Sequence, residues 1–210
     1  VSARFGDADA QAMVCGARRR LTGLFAATGL LAAGPLAMPR PALAAGVGLA
    51  EAARRLARAP HVLLMRHAIT EPGVGDPPGY RLDDCASQRN LSAEGREQSR
   101  RIGAALRAAG VTIGEVRTSA WCRCRDTAQL AFGRHERWSA LNSFFDDRAA
   151  EPGRTAELRA FVAAHRGGSV PMMVTHQVNI TAATGLYAGF GQIVAVPAEG
   201  GTAFALAPVG

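Results

Sequence analysis

Val62-Leu63-Leu64-Met65-Arg66-His67-Ala68 sets the fold of this 210-residue chain. Four large apolar residues in a row, bounded closely on both sides, describe a short buried strand over Val62–Arg66. An arginine and a histidine arrive together where that strand ends. The pairing suits a phosphoryl group: a guanidinium offers a fixed fork of donors to phosphate oxygens, and an imidazole can attack phosphorus.

Outward from this strand the chain alternates. Gly46–Ala59 reads as a short amphipathic helix or linker. After the strand, the Gly/Pro-rich stretch Glu71–Gly79 and the segment Tyr80–Asn90 form a long excursion of a kind that usually carries function. Ser92–Ala109 is a helix: Ser92 caps it, Gly95, Ile102, Ala105, Leu106 and Ala109 line one small-to-apolar face, and Gly110 ends it. Val111–Ser119 is the next strand, feeding a helix from Cys124 to Phe132. Thr155–His165 is helical, with Leu158, Phe161 and Val162 facing inward. Val170–Thr175 is a strand, Asn179–Leu186 a helix, and Ile193–Val196 and Thr202–Leu206 two terminal strands around a Glu199-Gly200-Gly201 turn. Such alternation predicts an α/β fold, a three-layer α/β/α sandwich with a largely parallel central sheet.

Before the domain, Arg18-Arg19-Arg20 precedes an apolar, Ala- and Gly-rich run from Leu21 to Met38, then Pro39-Arg40-Pro41 and the triplet Ala42-Leu43-Ala44. Basic, apolar, then small-x-small is the order of an export signal with its peptidase site. Arg18-Arg19-Arg20-Leu21 also fits, imperfectly, a twin-arginine signal. Residues 1–44 are therefore expected to be a leader, with Met13 as a candidate start, residues 45–60 a linker or short helix, and residues 61–210 the domain. The apolar run approaches the roughly 18 residues a span requires, but its glycines, Pro35 and the cleavage site favour removal over anchoring. A periplasmic or secreted protein with no stable membrane span follows. The 166 residues that remain suffice for one substantial core.

The chain carries a net charge of +7, and all 24 of its basic residues are arginine. Five arginines and two aspartates lie in the leader, which leaves the rest at +4. No dense basic run with interleaved aromatics is present, so nucleic acid is not expected as a partner. A modest positive balance suits a small anionic substrate.

Three later pieces carry chemistry: Leu91-Ser92-Ala93-Glu94-Gly95-Arg96-Glu97-Gln98, Ser119-Ala120-Trp121-Cys122-Arg123-Cys124-Arg125-Asp126-Thr127-Ala128, and Val174-Thr175-His176. Ligands of open α/β sheets bind beyond the carboxyl ends of strands. Arg66-His67, Ser119–Arg123 and His176 each stand at such an end and can meet at one rim. Helix starts after Ser119 and His176 would add backbone donors there.

Taken in order, these pieces resemble the histidine phosphatase superfamily, branch 1, the phosphoglycerate mutase-like proteins. The resemblance spans roughly Val62 to Val196. It implies that His67 is the nucleophile that becomes phosphorylated and that Arg66 holds phosphoryl oxygens. The family's Ser-x-x-x-Arg-x-x-x-Thr-Ala pattern falls on Ser119, Arg123, Thr127 and Ala128, which makes Arg123 the second phosphate arginine. His176 matches the late histidine that neutralises the transferring group. Thr70, Ser119, Arg81, Arg89 and Gln177 are the expected substrate contacts, and Arg125 falls on the other side of the pattern. No metal and no cofactor is required.

Two departures stand out. The late histidine is followed by Gln177-Val178 where the family has Gly-Gly. The family's acidic residue, in a stretch like Leu141-Asn142-Ser143-Phe144-Phe145-Asp146-Asp147, is replaced by Ser143. Asp146 is the candidate acid, with Asp147, Glu71 and Asp76 as alternatives. Cys85 can bridge to Cys122 or to Cys124 in an oxidising compartment, or all three can be buried thiols; a metal site lacks the usual spacing. His61, His135 and His165 fit no motif and read as surface or strand-end residues.

The expected activity is an exported phosphomonoesterase acting through a phosphohistidine on a small phosphorylated substrate. A branch of the family acting on lipopolysaccharide core heptose phosphates makes an envelope phosphosugar one candidate. A protein phosphohistidine phosphatase and a catalytically weak phospho-ligand binding module are the alternatives.

Overall fold

The computed structural model describes residues 46–209. The expected leader, residues 1–44, lies outside the described residues. Six strands form one sheet in the order β3-β2-β4-β1-β5-β6. They are β1 (His61–Arg66), β2 (Ile113–Thr118), β3 (Glu136–Arg137), β4 (Val170–Thr175), β5 (Ile193–Pro197) and β6 (Phe204–Ala205). Strands β3, β2, β4 and β1 pair in parallel, while β5 runs antiparallel to both β1 and β6. The sheet is thus mixed and largely parallel.

Strand β1 lies between β4 and β5 and is covered on both faces, which its unbroken apolar run requires. Leu63 and Met65 enter one core, with Ile102, Leu106, Ala128 and Met172. Val62 and Leu64 enter the other, with Leu158, Val162, Met173 and Ile180. Helices α1 (Leu49–Arg58), α2 (Ala93–Ala108) and α3 (Cys122–Phe132) supply the first core, and α4 (Glu151–Ala164) and α5 (Gln177–Thr184) the second. The result is the three-layer α/β/α sandwich.

Differences from the sequence reading have local causes. Helix α4 starts four residues before Thr155, because Pro152 occupies its first turn, where a missing N–H costs nothing. Helices α3 and α5 each begin two residues early, at Cys122 and Gln177, within four residues of the ends of β2 and β4. Strand β3 went unseen because two exposed residues carry no periodicity. His61, read as a surface or strand-end residue, is the first residue of β1 and is buried, with Nδ1 2.8 Å from the Ala59 carbonyl oxygen. Among the described residues, no helix is long and apolar enough to cross a membrane.

Candidate active site

The carboxyl ends of β2, β4 and β1 are neighbours in the sheet, so Ser119, His176 and Arg66-His67 converge. Backbone bonds lock the ends together: His67 N–H donates to the Thr175 carbonyl (3.0 Å) and Ser119 N–H to the Val174 carbonyl (3.1 Å). The His67 and His176 rings lie 5.5 Å apart between centroids. They open on a cavity of about 290 Å³ whose polar wall includes Arg66, Asp76, Arg89 and Arg123.

His67 is 3% exposed, and its Nδ1 lies 2.9 Å from the Ala68 carbonyl oxygen. A carbonyl can only accept, so Nδ1 carries the ring proton and Nε2 keeps its lone pair. Burial pulls the His67 pKa well below the ordinary histidine value, and the Arg123 charge pulls the same way. His176 is depressed likewise, by burial first and then by Arg123 and His67. Both rings are therefore neutral at pH 7 in the unliganded protein. Ser119 Oγ lies 2.8 Å from His176 Nε2 and also accepts from the Trp121 N–H. Behind them, burial pushes the Cys124 thiol up to about 12, so it remains protonated.

The loop that bears His67 is held by residues of α2 and α3. Ala68 N–H donates to Thr127 Oγ1 (3.0 Å), which itself donates to the Arg123 carbonyl (2.7 Å). Ile69 N–H donates to Gln98 Oε1 (3.0 Å). Ser92 caps α2 by accepting from Gly95 N–H. Gly95 is obligatory for a steric reason: a Cβ there would lie 1.8 Å from the Ile69 carbonyl oxygen. The Leu91–Gln98 and Thr127-Ala128 motifs thus act by positioning residues 67–69.

Each arginine is oriented differently. Arg66 donates from Nη1 to the Ala188 carbonyl and lies 3.9 Å above the Phe190 ring. Arg89 donates from Nε to the Gly75 carbonyl and from Nη1 to Thr70 Oγ1. Arg123 is clamped by Asp76 through Nη1–Oδ1 (2.7 Å) and Nη2–Oδ2 (3.1 Å). Trp121 Nε1–H (2.9 Å) and Arg89 N–H (2.9 Å) donate to the same carboxylate, whose side chain is 3% exposed. Burial raises the Asp76 pKa, but the Arg123 guanidinium together with the Arg89 and Trp121 N–H donors outweighs it and the net shift is downward, so Asp76 is ionised. The Nε–H groups of both Arg66 and Arg123 are buried without a partner.

Of the residues expected at the site, Arg66, His67, Arg89, Arg123, Asp146, His176 and Gln177 line the cavity. Thr70 and Ser119 do not: each is buried, with its hydroxyl given to Arg89 and to His176. Arg81 is also outside, exposed and paired with Asp83 and Asp84. Gln177 donates to Thr181 within the first turn of α5. Ser143 lines the cavity, with its Oγ accepting from Phe145 N–H, while Asp146 is exposed at the rim. The Asp76 clamp was not legible as such, although an aspartate in a Gly/Pro-rich excursion was its signal. Cys85 and Cys122 form a disulfide that ties this excursion to the first residue of α3, next to Arg123, and Cys124 stays a buried free thiol. Among the described residues, no cluster of histidine, cysteine and acidic side chains could hold a metal ion.

The pattern of the histidine phosphatase superfamily, branch 1, matches residues 62–151, from β1 through the Arg123 helix to the start of α4. The chain belongs to the histidine phosphatase superfamily. Members act as phosphatases and mutases on varied small phosphorylated substrates through a phosphohistidine, which places the chain among histidine-type phosphatases. Solved structures share the fold. The Rv3214 open reading frame product of Mycobacterium tuberculosis is 17% identical, with a TM-score of 0.54 over 72% of this chain and 98% of that one. The protein histidine phosphatase SixA, solved with tungstate, is 19% identical, with a TM-score of 0.52 over 70% and 97%. The comparison with curated proteins returned no match.

Proposed function

We propose that this histidine phosphatase is a phosphomonoesterase in which His67 takes up the phosphoryl group and passes it to water. One observation carries the reading. A neutral His67 with a free Nε2 lone pair shares its cavity with the guanidinium side chains of Arg66 and Arg123. Their fixed positive charge is what the oxygens of a phosphoryl group beside that lone pair require. Arg89 adds a third positive charge, and His176 stands across from His67 to meet the charge that develops in transfer. To bind, the phosphoryl group must compete with Asp76 for Arg123.

In the first step the Nε2 lone pair attacks phosphorus and the ester oxygen departs with its bonding pair. Water then attacks the phosphohistidine, returning the lone pair to Nε2 and releasing orthophosphate. We further infer export to the periplasm or beyond. The residues 1–44 pattern supports it, as does a disulfide, which persists in oxidising compartments. There, envelope phosphosugars are among the phosphate esters such an enzyme would meet.

Hydrolysis of p-nitrophenyl phosphate by the full chain and by His67→Ala, with chelator present, tests the reading. Turnover confined to the parent chain is the expected result. Orthophosphate binding without turnover in either protein would instead establish a phospho-ligand binding module.

A further inference from the structure

The mouth of the cavity carries three exposed apolar side chains. Among the described residues, the large hydrophobic side chains left exposed are Val74, Phe145 and Tyr187, at 88%, 46% and 39%. All three line the cavity. They come from three separate segments: the excursion after β1, the loop before α4, and the stretch between α5 and β5. The first two face each other, since a Cβ on Gly75 would lie 4.0 Å from the Phe145 ring. Scattered exposed apolar residues are ordinary, but three from separate segments around one opening mark a binding surface. Phe190 continues the wall inward, its ring 5.5 Å from that of His67.

An independent observation concerns protons. Among the described residues lining the cavity, no buried carboxyl group is available as an acid. Asp76 is ionised in the Arg123 clamp, and Asp146, the other carboxylate of the lining, is exposed at the rim. An alkoxide leaving group, with a conjugate acid near the water value of about 15.7, needs a donor. A phenolate leaves far more readily, because a phenol has a pKa of about 10.

We propose that the substrate is the phosphate monoester of a phenol, with its aromatic ring held at the mouth by Val74, Phe145 and Tyr187. The assignment rests on the phosphohistidine chemistry proposed for His67. The P–O(aryl) bond breaks as the Nε2–P bond forms, and the phenolate leaves with the bonding pair and takes a proton from solvent. Water then breaks the Nε2–P bond and releases its own proton to solvent. A sugar leaving group is the poorer fit, because its hydroxyls would lie against Val74 and Phe145 and its alkoxide would lack a donor.

The test is kcat/KM of the full chain on phenyl, cyclohexyl and 2-naphthyl phosphates and on glucose 6-phosphate. Phenyl and cyclohexyl rings are alike in size but differ by roughly six pKa units as leaving groups, so phenyl phosphate is expected to exceed cyclohexyl phosphate at least about a hundredfold. The second ring of 2-naphthyl phosphate adds roughly 40 Å² of apolar contact and is expected to bring about a fivefold gain, seen in KM. In the double variant Val74→Ser, Phe145→Ser that gain shrinks toward none, with inhibition by orthophosphate reporting that the anion site is folded. Equal turnover of cyclohexyl or glucose 6-phosphate and phenyl phosphate overturns the proposal. So does a parent chain that treats naphthyl and phenyl phosphates alike. Failure to hydrolyse any ester, with no phosphoryl label on His67, overturns the phosphohistidine chemistry as well and is told apart by the missing label.

Discussion

Replacing Asp76 with asparagine separates two roles that the Arg123 clamp combines. In the unliganded protein the carboxylate neutralises a guanidinium that shares its cavity with Arg66 and Arg89. Breaking a buried pair by removing one partner costs about 3–5 kcal/mol. Asparagine is isosteric but has a single oxygen, so it keeps only one of the Trp121 Nε1–H and Arg89 N–H bonds, which go to different oxygens of Asp76, and it sets its NH2 against the other donor. Because the cavity opens to water, a loss of about 3 kcal/mol, the low end of that range, is the expected figure. For a chain of this size that is a fall in Tm of roughly 5–10 °C. Orthophosphate affinity should change in the opposite sense. The anion no longer displaces a carboxylate from Arg123, so its Kd should tighten by about tenfold or more, equivalent to roughly 1.4 kcal/mol, and saturating phosphate should recover the lost Tm. Thermal unfolding with and without phosphate, with calorimetric titration, reads both. An Asp76→Asn protein that is as stable as the parent, or that binds phosphate more weakly, would refute the view that Asp76 and phosphate compete for Arg123.

Other expectations follow from the same geometry. Thr127→Val removes the acceptor of the Ala68 N–H, so stability should fall by about 1–3 kcal/mol, and kcat should fall more than KM rises because the nucleophile loop is loosened. Gly95→Ala puts a Cβ 1.8 Å from the Ile69 carbonyl oxygen; backbone must move, and both Tm and turnover should drop, whereas Gly153→Ala, with open space around it, should leave both in place. Reduction of the Cys85–Cys122 bond, which closes a separation of 37 residues, should cost about 3–4 kcal/mol on the chain-entropy estimate and accelerate proteolysis within residues 71–90. The folded-state pKa values of His67 and His176 lie below the unfolded value. Unfolding therefore takes up protons, and stability should decline as pH falls below about 6.5. Bound phosphate should blunt that decline by stabilising the protonated rings; an acid-stability curve indifferent to phosphate would count against it.

The parts of the fold legible in the sequence were those with strong local signals. The apolar runs of β1 and β4 needed burial on both faces, and Ser92 and Gly110 bracketed α2 by cap chemistry that works in any tertiary setting. Strand ends then placed Arg66-His67 and His176 at one rim without knowledge of the sheet order. What escaped depends on long-range packing. Asp76 meets Arg123 across 47 residues of sequence, and no spacing rule announces such a pair. Thr70 and Ser119 have side chains suited to touch a phosphate, but their hydroxyls orient Arg89 and His176 instead. Arg81 is close in sequence to the excursion's ordered turn, yet its own acidic neighbours hold it outside the cavity. Gln177-Val178, read as a replacement for a flexible Gly-Gly, is the first turn of α5.

The central claim is that a phosphoryl group passes through His67 Nε2. Rapid mixing of the full chain with a ³²P-labelled aryl phosphate, alkaline quenching and peptide mapping tests it most directly. The account predicts an acid-labile, alkali-stable label on His67 that appears before steady-state phosphate release and is absent from His67→Ala. Steady turnover with no labelled intermediate, or a label on another residue, would contradict it.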